Sequence, residues 1–294
     1  MGDLSYEGKP LRIEGVSNVV PETVQSNLRA TFARGYVRFN ELMSSQKGAV
    51  SIVGSGPSLA HTYKDLKGDV FACNSAHDFL IAKGIVPKFA MYWDANPIIA
   101  KFAQKPHKDV TYLIASRCHP DVFNALKGYK VIVFHAMSEE DMEMHLVHLG
   151  LMEPMVGGGS AGVTRGVSVA GVMGYTEMHL FGVDSCYEGD ETHAGGSVIT
   201  QRRERVRICG KTWTVAPWML LQLGDLKMMV PFVRQMGVKL IIHGTGLVPY
   251  AATFMGVETP DIKVNFKEKM WRKLEFCRSL IHGFEQQLLA HSSA

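Results

Sequence analysis

The apolar positions of this chain change period near residue 48. From about residue 22 to 45 they recur at helical spacing, as Val24, Leu28, Phe32, Tyr36, Phe39 and Leu42, with Pro21 just ahead of them. Proline is favoured in a first helical turn, so the pattern predicts a long N-terminal helix. Short, nearly continuous apolar runs then take over. They are Ala49-Val50-Ser51-Ile52-Val53, Val70-Phe71-Ala72-Cys73, Phe89-Ala90-Met91-Tyr92-Trp93, Thr111-Tyr112-Leu113-Ile114-Ala115, Val131-Ile132-Val133-Phe134, Met178-His179-Leu180-Phe181 and Val238-Lys239-Leu240-Ile241-Ile242. Runs of this kind, mostly alternating with helical stretches, predict parallel strands buried on both faces. Helices are expected near 58–66, 76–83, 97–103, 138–149, 160–173 and 217–236, with Gly224 and Pro231 as candidate breaks in the last. An amphipathic helix is expected over 265–289.

The expected fold is therefore α/β: a doubly wound, mainly parallel, Rossmann-like sheet with added N- and C-terminal helices. The chain divides into an extension and helix over 1–47, the Rossmann-like domain over 48–255, and an amphipathic helix within 256–294. Functional loops belong at the carboxyl ends of the strands.

Composition narrows the class. Hydrophobic residues make up 46% of 294, enough for a sizeable core, and the net charge of +3 is too mild to imply nucleic-acid binding by itself. The five cysteines, Cys73, Cys118, Cys186, Cys209 and Cys277, form no Cys-x-x-Cys pair. That usage fits a reducing compartment and buried thiols. Histidines lack paired ligand spacing, which argues against zinc. The first residues do not resemble a signal peptide, and no apolar stretch is long enough to span a membrane. A soluble, cytoplasmic protein is expected.

The candidate chemistry begins after the first long strand, at Gly54-Ser55-Gly56-Pro57-Ser58-Leu59. Glycines permit close approach of a ligand, and a helix start offers N–H groups and partial positive charge to a phosphate. Pro57 suits a first helical turn, and Ser58 adds a hydroxyl. Gly-Lys-Ser/Thr is absent, so this is not a Walker loop. Leu59 stands where a dinucleotide fingerprint has its third glycine. A tight turn without ligand is the plain alternative. Gly157-Gly158-Gly159-Ser160 is a second candidate anion site or a simple connection, and His243-Gly244-Thr245-Gly246, after the last strand, is another candidate pocket wall or a simple turn.

These residues resemble a known family in combination. Gly54 to Leu59, Phe71-Ala72-Cys73-Asn74, Gly84-Ile85-Val86-Pro87, Trp93-Asp94, Gly157 to Ser160, Gly174-Tyr175, Leu180-Phe181-Gly182-Val183-Asp184 and Thr192-His193-Ala194 resemble the DUF115 family, typified by the archaeal 6-hydroxymethylpterin diphosphokinase and called MptE-like. Several are also similar to family 42 bacterial sialyltransferases. The resemblance covers roughly residues 48 to 255. It implies that Gly54, Ser55, Gly56, Ser58 and Asn74 hold a nucleotide, while Pro57, Asp94, Gly158, Gly159 and Ser160 are further nucleotide-contact candidates on their own chemistry and position. It puts Asp184 in the cleft and matches His193 to the histidine of a short Thr/Ser-His-Ala motif.

Residue chemistry supplies alternatives at each position. His193, in a polar loop, is suited to take a proton from an acceptor hydroxyl. Asp184 can orient a hydroxyl or a histidine. Asp94 can hold a ribose hydroxyl, and Asp94 with Asp184 could share Mg²⁺ if the reaction needs it. Asn74 and Asp94 can equally be helix caps. His119 and His135 stand just beyond strands and could line the same cleft, whereas His179 belongs inside one. The basic run Arg202, Arg203, Arg205 and Arg207 could contact a phosphate or an acceptor, or could be a solvated face.

Two enzymatic functions follow, with a non-catalytic nucleotide-binding or interaction protein as a third. The first is a transferase with a nucleotide-activated donor, a CMP-sugar or other nucleotide sugar, passing its group to a hydroxyl. No Asp-x-Asp motif is present, which suits a donor that needs no metal. The second is a diphosphokinase using Mg-ATP. Members of the resembled family occur in bacterial viruses and in flagellin glycosylation. A polymer acceptor, nucleic acid included, therefore stands beside a small one. The basic, amphipathic C-terminal stretch adds peripheral membrane association and homo-oligomer contact as expectations.

Overall fold

The computed structural model describes residues 5–6, 9–10, 19–137, 153–196 and 203–264. The helices expected at 138–149 and 265–289, and Arg202, lie outside them.

In chain order the strands are β1 (Ser5–Tyr6), β2 (Lys9–Pro10), β3 (Val37–Arg38), β4 (Ala49–Val53), β5 (Asp69–Cys73), β6 (Phe89–Tyr92), β7 (Thr111–Ala115), β8 (Lys130–Ala136), β9 (Met155–Val156), β10 (Glu177–Phe181), β11 (Glu204–Ile208), β12 (Lys211–Val215) and β13 (Lys239–Ile242). The α-helices are α1 (Pro21–Arg34), α2 (Leu59–Thr62), α3 (Ala76–Ala82), α4 (Pro120–Ala125), α5 (Gly162–Met173), α6 (Met219–Gln235) and α7 (Leu247–Phe254).

The main sheet runs β13-β10-β4-β5-β6-β7-β8-β3, with β9 beside β8, and every pairing in it is parallel. From β4 the chain steps outward through β5, β6, β7 and β8, then returns to place β10 and β13 on the other side. The order reverses between β4 and β10, and a doubly wound sheet opens its crevice beyond such a point. Side chains alternate between two apolar clusters. Ile52, Phe71 and Leu180 belong to one, and Val53, Ala72 and Phe181 to the other. Both faces are covered, which is why these strands read as unbroken apolar runs.

The small residues of α5 have a packing reason. A Cβ on Gly166 would stand 2.9 Å from Ile52 Cγ2 and 3.3 Å from Cys73 Sγ, so the helix lies directly on the sheet. α6 is continuous through Gly224 and Pro231, neither of which breaks it. α2 is a single turn followed by a 3-10 turn, Tyr63–Asp65.

Several features differ from the sequence expectation, among them the end of α1 at Arg34 instead of near residue 45 and the unexpected helix α4. The segment read as an N-terminal extension supplies β3, whose Val37 and Arg38 pair with Ile132 and Val133 of β8. Thus the sheet extends across the boundary drawn at residue 48. The basic run is largely β11, half of an antiparallel hairpin with β12. Cys209 and Gly210 turn it with φ of 49° and 71°, the two positive angles of a tight hairpin turn. A short helix, α7, follows the His243-Gly244-Thr245-Gly246 turn. No described helix is long and apolar enough to cross a membrane.

Candidate functional site

A cleft of about 1440 Å³ opens at the carboxyl ends of β4, β5, β6 and β10. Ligand pockets typically measure roughly 300–1,000 Å³, so there is room for a donor and an acceptor together. Gly54, Ser55, Gly56, Asn74, Asp94, Gly158, Gly159, Ser160, Asp184 and His193 all line it. Residues far apart in sequence are thereby gathered on one crevice. α1 forms part of a wall through Pro21, Gln25 and Leu28. It is anchored by Asn27, whose Nδ2 donates to the carbonyls of Ala95 at 3.1 Å and Arg117 at 3.0 Å.

The glycine loop is stitched to β10. Gly54 N–H donates to Phe181 O and Gly56 N–H to Gly182 O, both at 2.8 Å. A Cβ on Gly56 would stand 2.7 Å from Gly182 O and would also collide with Asp184 Oδ2. Gly182 itself has a φ of 60° and packs against the Gly54 carbonyl. These glycines are therefore required by backbone contact between two strand ends, whatever else binds there.

Ser58 is held by Asp184. Its N–H donates to Asp184 Oδ2 at 3.1 Å and its hydroxyl to the same oxygen at 2.9 Å. Ser58 and Pro57 are buried and do not line the opening. At the start of this helix, where a phosphate was expected, a protein carboxylate takes the Ser58 N–H and hydroxyl. Asp184 is itself 3% exposed. Burial is the main cause that pushes its carboxyl up to about 6, against the lowering effect of the two Ser58 bonds.

The second glycine-rich loop repeats the arrangement. Ser160 N–H, Ser160 Oγ and Thr164 Oγ1 donate to Asp225 Oδ2 at 2.6, 2.8 and 2.9 Å. Asp225, from α6, thus fills the anion position that the sequence suggested for this loop.

Asn74 follows β5 with a φ of 51°, held by N–H donation to Met91 O. Its side chain makes no helix cap, and its Oδ1 is buried without a partner among the described residues. Asp94 Oδ1 accepts from Asn96 N–H at 2.9 Å, and Asn96, not Asp94, caps the 3-10 turn Pro97–Ala103. His193 Nδ1 lies 2.7 Å from Thr192 Oγ1, and the next N–H, of Ala194, donates to Ser55 O at 2.8 Å. That bond ties the histidine loop to the glycine loop.

Other expectations fall elsewhere. His119 Nδ1 accepts from Asp121 N–H at the start of α4. His135 is buried, with Nδ1 2.9 Å from Ser116 Oγ and Nε2 3.0 Å from Glu153 Oε2. Neither lines the cleft, which corrects that reading of both. His179 is a buried strand residue, as expected, stacked beside His243 with ring nitrogens 3.0 Å apart. Arg203 and Arg205 are exposed and do not line the cleft, and Arg203 pairs with Asp190 at 2.6 Å.

The sequence reading missed the cleft's buried cations. Arg117 and Arg165 both line it, with 6% and 3% exposure, and their guanidiniums lie 5.7 and 4.8 Å from the Trp93 ring centre. Arg117 stands two residues past β7, where the strand-end rule could have found it. Arg165 is the one charge in the small, apolar α5. Among the described residues, no cluster of three or more His, Cys, Asp or Glu side chains is placed to hold a metal ion.

Comparison with known proteins agrees with this architecture. A family model described as "6-hydroxymethylpterin diphosphokinase MptE-like" matches residues 26–190, more than half of the chain. A solved structure of a MAf glycosyltransferase from Magnetospirillum magneticum AMB-1 is similar in fold, with a TM-score of 0.59 and 16% identity. The match covers 90% of this chain and 43% of that one, so the chain spans less than half of that protein's length. No curated protein matches it.

Proposed function

This chain belongs to the MptE-like family, and from that premise we propose that it is a transferase using a nucleotide-activated donor, acting on an acceptor hydroxyl. The family description and the glycosyltransferase fold both support a transferase-type function. The observation that carries the reading is the convergence of Ser55, Asn74, Asp94 and His193 on one large crevice at the β4–β10 reversal.

In the proposed reaction the nucleotide lies against Ser55, Asn74 and Asp94. The unpartnered Asn74 Oδ1 suits an N–H or O–H donor of the base or ribose. His193 is the base. With Nδ1–H donating to Thr192 Oγ1, Nε2 carries the lone pair and takes the acceptor proton. The acceptor oxygen bonds to the transferred sugar carbon as that carbon's bond to the phosphate oxygen breaks. The nucleotide leaves with the electron pair. Asp184 positions the glycine loop through Ser58 instead of meeting substrate at that oxygen.

The diphosphokinase reading is favoured by the family description. There the acceptor oxygen attacks the β-phosphorus of ATP and AMP leaves. Asp94 and Asp184 are two carboxylates without a third ligand group. Both line the cleft and could meet a magnesium ion brought in on the nucleotide phosphates, as Mg²⁺ commonly is. Thermal-shift measurements with CMP, UDP, GDP and ATP, with and without Mg²⁺, separate the readings. A metal-free CMP response supports the sugar transferase. A response to Mg-ATP alone supports the diphosphokinase. No response to any nucleotide overturns both and leaves an interaction protein.

A further inference from the structure

We propose that Arg165, with Arg117 beside it on Trp93, forms the phosphate subsite of the cleft and holds the anionic part of the donor. The proposal deepens the nucleotide-donor reading and rests on it for the identity of the ligand.

The cleft's other donors are already engaged. At each glycine-rich loop an aspartate of the protein itself, Asp184 or Asp225, accepts the bonds that a phosphate would otherwise take. Two such carboxylates also make those loops unfavourable to a further anion, since like charges repel. Positive charge enters the cleft at Arg165 and Arg117 instead.

Arg165 is built in as few cations are. It is 3% exposed, yet its first-turn position on α5 puts it on the cleft wall. Its Nη1 donates to Val156 O at 3.0 Å and Met137 O at 3.4 Å. Its Nε is buried with no hydrogen-bond partner among the described residues, and no ion pair there engages it. The nearby Asp225 raises its pKa but directs its Oδ2 to Ser160 and Thr164. Burial and the charge of Arg117 instead hold Arg165 down at about 10. Burying a charge without a direct ion pair is costly, and two neutral carbonyls, one aromatic face and the field of Asp225 offset only part of that cost. A guanidinium in this state is matched by an oxyanion, which it can bind through two parallel N–H groups. The Trp93 ring packs against that fork, its centre 4.8 Å from the Arg165 guanidinium carbon.

The test uses the full chain, with inorganic pyrophosphate, the nucleotide giving the largest thermal shift, and its parent nucleoside as probes. Arg165→Gln keeps an N–H for the Val156 carbonyl and removes the charge. Pyrophosphate is expected to stabilise the wild type and to lose at least about tenfold in affinity in Arg165→Gln, with the nucleotide weakened alongside it. The nucleoside is expected to bind both proteins alike. Arg165→Lys, which retains charge without the fork, is expected to fall between them. Wild-type affinity for pyrophosphate in Arg165→Gln overturns the subsite, as does nucleotide binding by a wild type that ignores pyrophosphate; the nucleotide reading survives both results. Arg165-dependent pyrophosphate binding without any nucleotide response upholds the subsite and removes the nucleotide reading. Silence with every probe overturns both. Should Arg165→Gln fail to fold, competition in the wild type decides: pyrophosphate must displace the nucleotide, and simultaneous binding of the two overturns the proposal.

Discussion

Ser58 gives both its N–H and its hydroxyl to one oxygen of Asp184, at 3.1 and 2.9 Å. The bond pair joins the loop after β4 to the loop after β10, the two strand ends where the sheet order reverses. It makes the glycine motif part of an internal clasp whose carboxylate is buried.

That clasp has a pH signature. The folded pKa of Asp184, about 6, lies above the ordinary 3.8, so the folded chain binds this proton more tightly than the unfolded one. Its contribution to stability is then fully present below the ordinary value and lost as pH rises through about 6. A shift of this size corresponds to roughly 3 kcal/mol across the window. The stability of the wild type relative to Asp184→Asn should therefore improve as pH falls from about 7 to about 4, read by urea unfolding of both proteins. A difference that stays flat with pH would falsify the assignment.

Gly56→Ala should destabilise the fold by about 1–3 kcal/mol, because the added methyl meets the Gly182 carbonyl and the Asp184 carboxylate and neither can withdraw. Ser55→Ala, in the same loop, should stay within about 0.5 kcal/mol of the wild type. Equal urea midpoints for the wild type and Gly56→Ala would show that the clasp is looser than described.

Asn74 allows backbone and ligand effects to be separated. Asn74→Gly keeps a residue at ease with a φ of 51° and should preserve stability while weakening nucleotide binding about tenfold. Asn74→Ala should weaken binding equally and add about 1–2 kcal/mol of destabilisation from the left-handed backbone. Calorimetry showing unchanged affinity in Asn74→Gly would remove the side chain from the donor site.

His193→Ala should lower turnover by at least about 100-fold while leaving nucleotide affinity unchanged. Thr192→Val, which deletes the hydroxyl 2.7 Å from Nδ1, should lower turnover less, and Thr192→Ser should restore it. Full turnover in His193→Ala would assign the base elsewhere.

The main sheet was legible because its signal is local and repeated. Each strand from β4 to β8, with β10 and β13, sits under cover on both faces and so appears as an apolar run. The hairpin β11–β12 was missed although its alternation is present: Val206 and Ile208 are buried while Arg205 and Arg207 are exposed. The density of arginines drew attention to charge and away from period two. β3 was missed because two residues at a sheet edge carry almost no pattern.

By itself, then, the sequence determined the main strands of the parallel sheet and the strand-end loops, since periodicity and turn chemistry act over neighbouring positions. Only the tertiary structure decided which donors those loops leave for a ligand. Asp184 lies far along the chain from Ser58, and Asp225 far from Ser160, yet each takes the bonds that an isolated motif would offer to a phosphate. Arg165 gains its meaning in the same way, because burial against Trp93, beside Arg117, turns an ordinary cation into a charge that calls for an anion.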